Sequence, residues 1–130
     1  MRYLLDTHVF LWLNAAPNRL SPRVLERIAD PGVDVLVSAA SAWEIAIKHA
    51  LGRLPLPEPP TSYVLSRMAA MRARELPVSH VDALDVAALA PLHRDPFDRL
   101  LVAQARRHAL VLVTADPAIS QYDVEVLAAR

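Results

Sequence analysis

The chain has no cysteine, only two glycines and a single lysine among its 130 residues. Without cysteine there is no disulfide, no thiol nucleophile and no thiolate metal site, a usage that fits a cytoplasmic protein. Gly32 and Gly52 are too few for a phosphate-binding Walker loop, a dinucleotide-binding glycine motif or a G-x-S-x-G nucleophile elbow. No uncharged apolar stretch approaches the ~18 residues that a membrane-spanning helix needs. One early arginine, Arg2, soon followed by Asp6, argues against a signal peptide. There is also no excess of either charge: 14 basic residues balance 14 acidic ones. A broad electrostatic coat for nucleic acid is therefore not expected, although opposite local patches remain compatible with the total.

What is present is apolar sequence, 54% of the chain, enough for a real core in one domain spanning residues 1–130. Periodicity predicts alternating strands and helices. The expected strands are Arg2–Leu5, Val33–Val37, Leu76–Val78, Leu110–Thr114 and Val124–Leu127. The expected helices run through Asn14, from Pro22 to about Ala29, from Ser38 to Leu51, from about Thr61 to Arg74, from Val81 to Leu89 and from Pro96 to His108, with one turn at Pro117–Gln121. Gly52 stands where a helix-terminating glycine belongs. Leu54–Pro60, with four prolines, is the longest expected loop. Short apolar strands alternating with helices imply a central, mostly parallel sheet covered on both faces, a three-layer α/β/α sandwich.

Four carboxylates stand where apolar runs give way: Asp6, Glu44, Asp98 and Asp116. In an open parallel sheet, sites form beyond the carboxyl ends of the strands, and this topology sends all four toward that edge. Taken singly, three have ordinary explanations. Asp6 and Asp116 can cap the turns that follow them, and Asp98 suits the first turn of a helix. Glu44 discriminates, because its surroundings, Ala42-Trp43-Glu44-Ile45-Ala46-Ile47, are those of a buried helix and a buried acid needs a partner. Lys48, four residues on, supplies an ion pair in the favourable order. Together the four acids point to a hard divalent cation that relieves their mutual repulsion, and so to chemistry on phosphate. Asp95, before Pro96, is explained by capping but lies one turn from Asp98. The five histidines show no ligand spacing, and Trp12 and Trp43 sit at core-like spacing and are expected to pack inside. Arg94, Arg99 and Arg53 are candidate phosphate contacts by proximity alone.

Four segments, Leu4-Leu5-Asp6-Thr7-His8, Val37-Ser38-Ala39-Ala40-Ser41-Ala42-Trp43-Glu44-Ile45-Ala46-Ile47-Lys48, His93-Arg94-Asp95-Pro96-Phe97-Asp98-Arg99-Leu100-Leu101 and Leu112-Val113-Thr114-Ala115-Asp116, resemble the PIN-domain ribonucleases, most closely the VapC-type toxins of bacterial toxin–antitoxin pairs. The resemblance runs in order along essentially the whole chain. It implies an Mg²⁺- or Mn²⁺-dependent endoribonuclease whose acidic quartet is Asp6, Glu44, Asp98 and Asp116, with Asp6 the surest metal ligand and Asp116 often acting through water. It makes Thr7 and Ser38 small polar supports, places Asp95 in the local Asp-Pro-Phe-Asp pattern, and leaves open whether Asp95 or Asp98 touches metal. It also implies a homodimer and a small antitoxin partner. Two other expectations stay beside it: a non-catalytic module of the same fold binding a peptide or RNA, and a metal-dependent DNA nuclease or phosphatase.

Overall fold

A computed structural model describes all 130 residues. Five strands form one wholly parallel sheet in the order β3-β2-β1-β4-β5. They are β1 (Arg2–Leu5), β2 (Asp34–Ser38), β3 (Arg74–Leu76), β4 (Val111–Thr114) and β5 (Val126–Ala128). The helices are α1 (Thr7–Ala15), α2 (Pro22–Ala29), α3 (Ala39–Ala50), α4 (Pro60–Ala70), α5 (His80–Asp85) and α6 (Pro96–Arg107), with 3₁₀ turns at Pro17–Arg19, Val86–Ala88 and Pro117–Gln121.

Strand alternation makes the layers. Tyr3, Leu5, Val35, Val37, Val111 and Val113 face a core shared with Val9 and Phe10 of α1, Val24 of α2 and Met68 of α4. Their neighbours Leu4, Leu36 and Leu112 face the opposite core with Leu101, Val102 and Ala105 of α6. Period-two side chains thus fill both faces, which is why the strands read as unbroken apolar runs. Truncating the fully buried Leu112 to alanine would cost about 2–5 kcal/mol. No helix is long and apolar enough to cross a membrane.

The sequence expectations for this architecture hold, with four local differences. The helix expected over Val81–Leu89 runs only from His80 to Asp85 and tightens into the 3₁₀ turn Val86–Ala88. α4 ends at Ala70 rather than Arg74, because the chain turns through Arg72 at φ 55° before Ala73. β3 consequently pairs as Arg74–Leu76, two residues earlier than expected; Arg74 and Glu75 are exposed, so the strand lacks the apolar run that marks the others. β5 likewise pairs as Val126–Ala128 rather than Val124–Leu127. Trp43 is a correction. It is 62% exposed on an α3 face shared with exposed Ala39, Ala46 and Ala50, so an apolar helix is not here a buried one. Trp12 packs against the core while stacking under Arg19 and Arg130.

Candidate active site

β1 is the middle strand and neighbours both β2 and β4, so its carboxyl end is where crossovers leave the sheet in opposite directions. Asp6 stands there and is 1% exposed. It does cap α1: its Oδ1 accepts from the Thr7 N–H at 2.7 Å. Its Oδ2 accepts from the Thr114 hydroxyl at 2.7 Å and lies 3.3 Å from His8 Nδ1. His8 Nε2 accepts from the Ala115 N–H, which leaves the ring proton on Nδ1, facing Asp6. Burial pushes the Asp6 carboxyl above its usual range, with the Glu44 charge adding to the rise, although His8, Thr114 and Thr7 oppose it.

Glu44 is also buried. α3 delivers it from the neighbouring strand crossover, and the helix is anchored at its start by Ser38, whose hydroxyl accepts from the Ala40 N–H. Thr7 ties α1 to α3 by donating to the Ser41 hydroxyl at 2.9 Å. One Glu44 oxygen pairs with Lys48, which raises the lysine's pKa. The other, Oε1, is the single buried side-chain N or O atom in the molecule without a hydrogen-bond partner. Such an atom costs about 1–3 kcal/mol.

α6 brings the third segment. Asp95 caps it, its Oδ1 accepting from Phe97 and Asp98 N–H groups, and Asp98 follows in the first turn. Asp98 is pushed up to about 7, first by burial, then by the charges of Asp6 and Asp95, with His93 opposing and Glu44 adding. Asp6, Glu44, Asp95 and Asp98 line one cleft of about 320 Å³ with Thr7, Lys48 and Arg53. Asp116 flanks this cleft rather than lining it. It caps the 3₁₀ turn after β4 through Ala118 and meets Asp98 by way of His93, whose Nε2 is 3.0 Å from Asp116 Oδ2 and 3.2 Å from Asp98 Oδ2. Burial tends to raise Asp116, yet the Ala118 and His93 hydrogen bonds hold it below the usual carboxylate range.

The structure thus brings Asp6, Glu44, Asp95 and Asp98 together, with Asp116 adjoining. The capping roles and the clustering coexist, since one cap hydrogen bond occupies only one carboxylate oxygen. Ser38 sits one step back, donating to Gln104 Oε1 at 2.6 Å. The three arginines part company. Arg53 lines the cleft, Arg94 is exposed beside it in sequence, and Arg99 turns inward, its guanidinium spent on Ala90 and Val86 carbonyls and the Tyr122 hydroxyl. His8, His93, Ser41 and Thr114 were not singled out by sequence reasoning. Each lies two or three residues from an acid or cap that was, yet nothing in their spacing marks them.

The donor set suits a hard divalent cation: carboxylate oxygens around a cleft, one of them orphaned, two acids held above their normal pKa first by burial and then by neighbouring carboxylates, Glu44 for Asp6 and Asp6 and Asp95 for Asp98. Among known proteins, a family model described as PIN domain matches residues 3–125. Ribonuclease VapC22 of Mycobacterium tuberculosis is 36% identical over 114 residues, covering 87% of this chain and 85% of that protein. Ribonuclease VapC16 of the same organism is 51% identical over 53 residues, a match that covers 41% of this chain and 38% of that protein's length. In fold, the chain is similar to a crystal structure of VapBC2 from Rickettsia felis bound to a DNA fragment from their promoter, at a TM-score of 0.77 over 100% of both chains and 15% identity.

Proposed function

The chain belongs to the PIN-domain family, and from that premise we propose that it is an Mg²⁺- or Mn²⁺-dependent endoribonuclease, the toxin of a toxin–antitoxin pair. The observation that carries the metal requirement is the unpartnered, buried Glu44 Oε1 in a cleft with Asp6 and Asp98. Ribonuclease activity is supported by the two named relatives, and a cognate antitoxin by the VapBC assembly whose fold it shares. Homodimerisation and action in the cytoplasm belong to the same proposal.

Asp6, Glu44 and Asp98 would hold the cation, with Asp95 and Asp116 flanking them. A bound divalent cation polarises a phosphoryl oxygen and lowers the pKa of water, the chemistry that phosphodiester hydrolysis needs. The chain's own work is positioning. Thr114, Thr7 and His8 fix both oxygens of Asp6, so that acid arrives with its orientation set. Lys48 neutralises one side of Glu44 and leaves the other side open. Arg53, in the cleft wall, and the exposed Arg94 suit backbone phosphates as forked donors, whereas Arg99 is already committed to its own backbone.

The test is cleavage of total cellular RNA by purified protein with Mn²⁺ or Mg²⁺, against EDTA and against Asp6→Asn. Discrete fragments that need both metal and Asp6 are expected, with the variant at least about 100-fold slower. Full activity of a folded Asp6→Asn variant would remove Asp6 from the chemistry. Single-stranded DNA and a phosphomonoester, run alongside, separate RNA cleavage from the other phosphate chemistries.

A further inference from the structure

The imidazole of His93 lies between two acids that come from different segments, Asp98 of α6 and Asp116 after β4. We propose that His93 is a positioning residue of the metal site, one ring N–H shared between Asp98 and Asp116 that aims both carboxylates. The inference rests on the divalent-cation reading above and adds a role for a residue outside the acidic set.

Two roles are open to a histidine so placed. Its Nε2 and one oxygen from each acid lie close enough together to hold a cation directly, all within 4.8 Å of one another. The other ring nitrogen decides against that. Nδ1 is 3.2 Å from the Asp95 backbone nitrogen, whose N–H donates to it. A neutral imidazole has one donor and one acceptor, so accepting at Nδ1 leaves the hydrogen on Nε2, where it points at Asp98 and Asp116. Ligation through Nε2 would move that hydrogen to Nδ1 and set two N–H groups head to head. His93 therefore donates to the carboxylates and does not compete with them for the cation.

The loop that carries His93 is built to hold this pose. Arg99, next to Asp98, donates to the carbonyl of Ala90 on that loop at 2.9 Å and to that of Val86, in the 3₁₀ turn leading into it, at 3.2 Å. The same guanidinium donates to the Tyr122 hydroxyl at 3.2 Å, just beyond the 3₁₀ turn that Asp116 caps. One arginine thus ties together the loop of His93, the helix of Asp98 and the segment of Asp116. The acids on the other side of the cleft have matching supports, Thr114 and His8 for Asp6, and the bare Glu44 Oε1 shows where a further charge is wanted. Groups that orient metal ligands from behind typically matter 10–100-fold in affinity.

Calorimetric titration of Mn²⁺ into the purified wild type, His93→Ala and His93→Gln tests this. The glutamine amide can offer an N–H near the position of Nε2. His93→Ala should bind Mn²⁺ about 10–100-fold more weakly, and His93→Gln should recover most of that loss. Equal or tighter binding by His93→Ala overturns the role, and so does a glutamine variant as weak as alanine. Spin-echo spectra of Mn²⁺ bound to the wild type add an independent arm. No directly coordinated imidazole nitrogen is expected, and its detection would make His93 a ligand instead. A flat wild-type titration would fell the cation reading and this inference together, an outcome visible before any variant is made.

Discussion

Two acids withdrawn from solvent, the buried Asp82 and the half-buried Asp98, sit on consecutive helices that pack together, and the protein treats them in opposite ways. Asp82, 1% exposed, accepts from Gln104 Nε2 and meets His108 Nε2, each at 3.0 Å. It also completes a capping box with Ser79. Gln104 passes the connection on to Ser38. Burial raises the Asp82 pKa, but these hydrogen bonds overcome it and hold the carboxyl below its usual range. Asp98 has His93 and little else against partial burial and three neighbouring carboxylates, and is pushed up to about 7. Burial alone therefore does not mark a functional acid. A satisfied buried acid fastens the fold, whereas one left among like charges holds free energy that a cation can release.

The largest effect should come from breaking the satisfied partner. Asp82→Ala leaves Gln104, His108 and Ser79 short of an acceptor and should lower stability by about 2–4 kcal/mol. Urea unfolding measures it, and Mn²⁺ should still raise the variant's Tm. A loss under 1 kcal/mol would mean that Asp82 is not the fastener described.

Asp98→Asn should act with the opposite sign. In EDTA at pH 8 it removes a charge held at a cost and should stabilise the metal-free protein by about 1–3 kcal/mol, at 1.36 kcal/mol per pKa unit with relaxation reducing the total. It should also abolish the Tm increase caused by Mn²⁺. A less stable variant in EDTA would contradict crowding of the carboxylates.

A smaller effect is expected from pH alone. The folded Asp98 pKa lies above its unfolded value, so between about pH 4 and pH 7 the folded chain binds the extra proton. Asp6 is raised as well. His93, raised chiefly by Asp116, contributes with the same sign, its stabilisation present below its unfolded pKa and lost as pH rises through the folded one. Metal-free protein should therefore melt lower at pH 8 than at pH 5.5, with a shallower slope for Asp98→Asn. A wild-type Tm that climbs across this interval would refute the assignment. Smallest of all, Arg94→Ala should change stability by no more than about 0.5 kcal/mol while weakening RNA binding in a filter assay.

The layered fold was legible because its signal is one-dimensional. Apolar runs such as Leu110–Val113 and caps such as Ser21-Pro22 and Asp95-Pro96 announce themselves locally. β3 is harder to place from sequence, because a short strand with exposed Arg74 and Glu75 has no such run. The acids that line the cleft were legible since each closes a local motif. His93, Thr114 and Gln104 were not, because their meaning lies in partners 23, 108 and 66 positions away in sequence. Trp43 is hard to place for a related reason, as apolar composition does not say which face of a helix stays open to solvent: its ring meets Phe97 edge-on yet is 62% exposed.

The placement of β1 in the middle of the sheet has a consequence for synthesis. β1 needs Asp34–Leu36 on one side and Val111–Val113 on the other, so it cannot be completed until residues 111–113 have been made. Thr114, which grips Asp6, arrives with that same last neighbour. A polypeptide cut before this point therefore lacks both the strand that completes the pairing of β1 and the hydroxyl that holds Asp6. The carboxylate cleft thus takes its final form only once Thr114, 108 positions after Asp6, has been made.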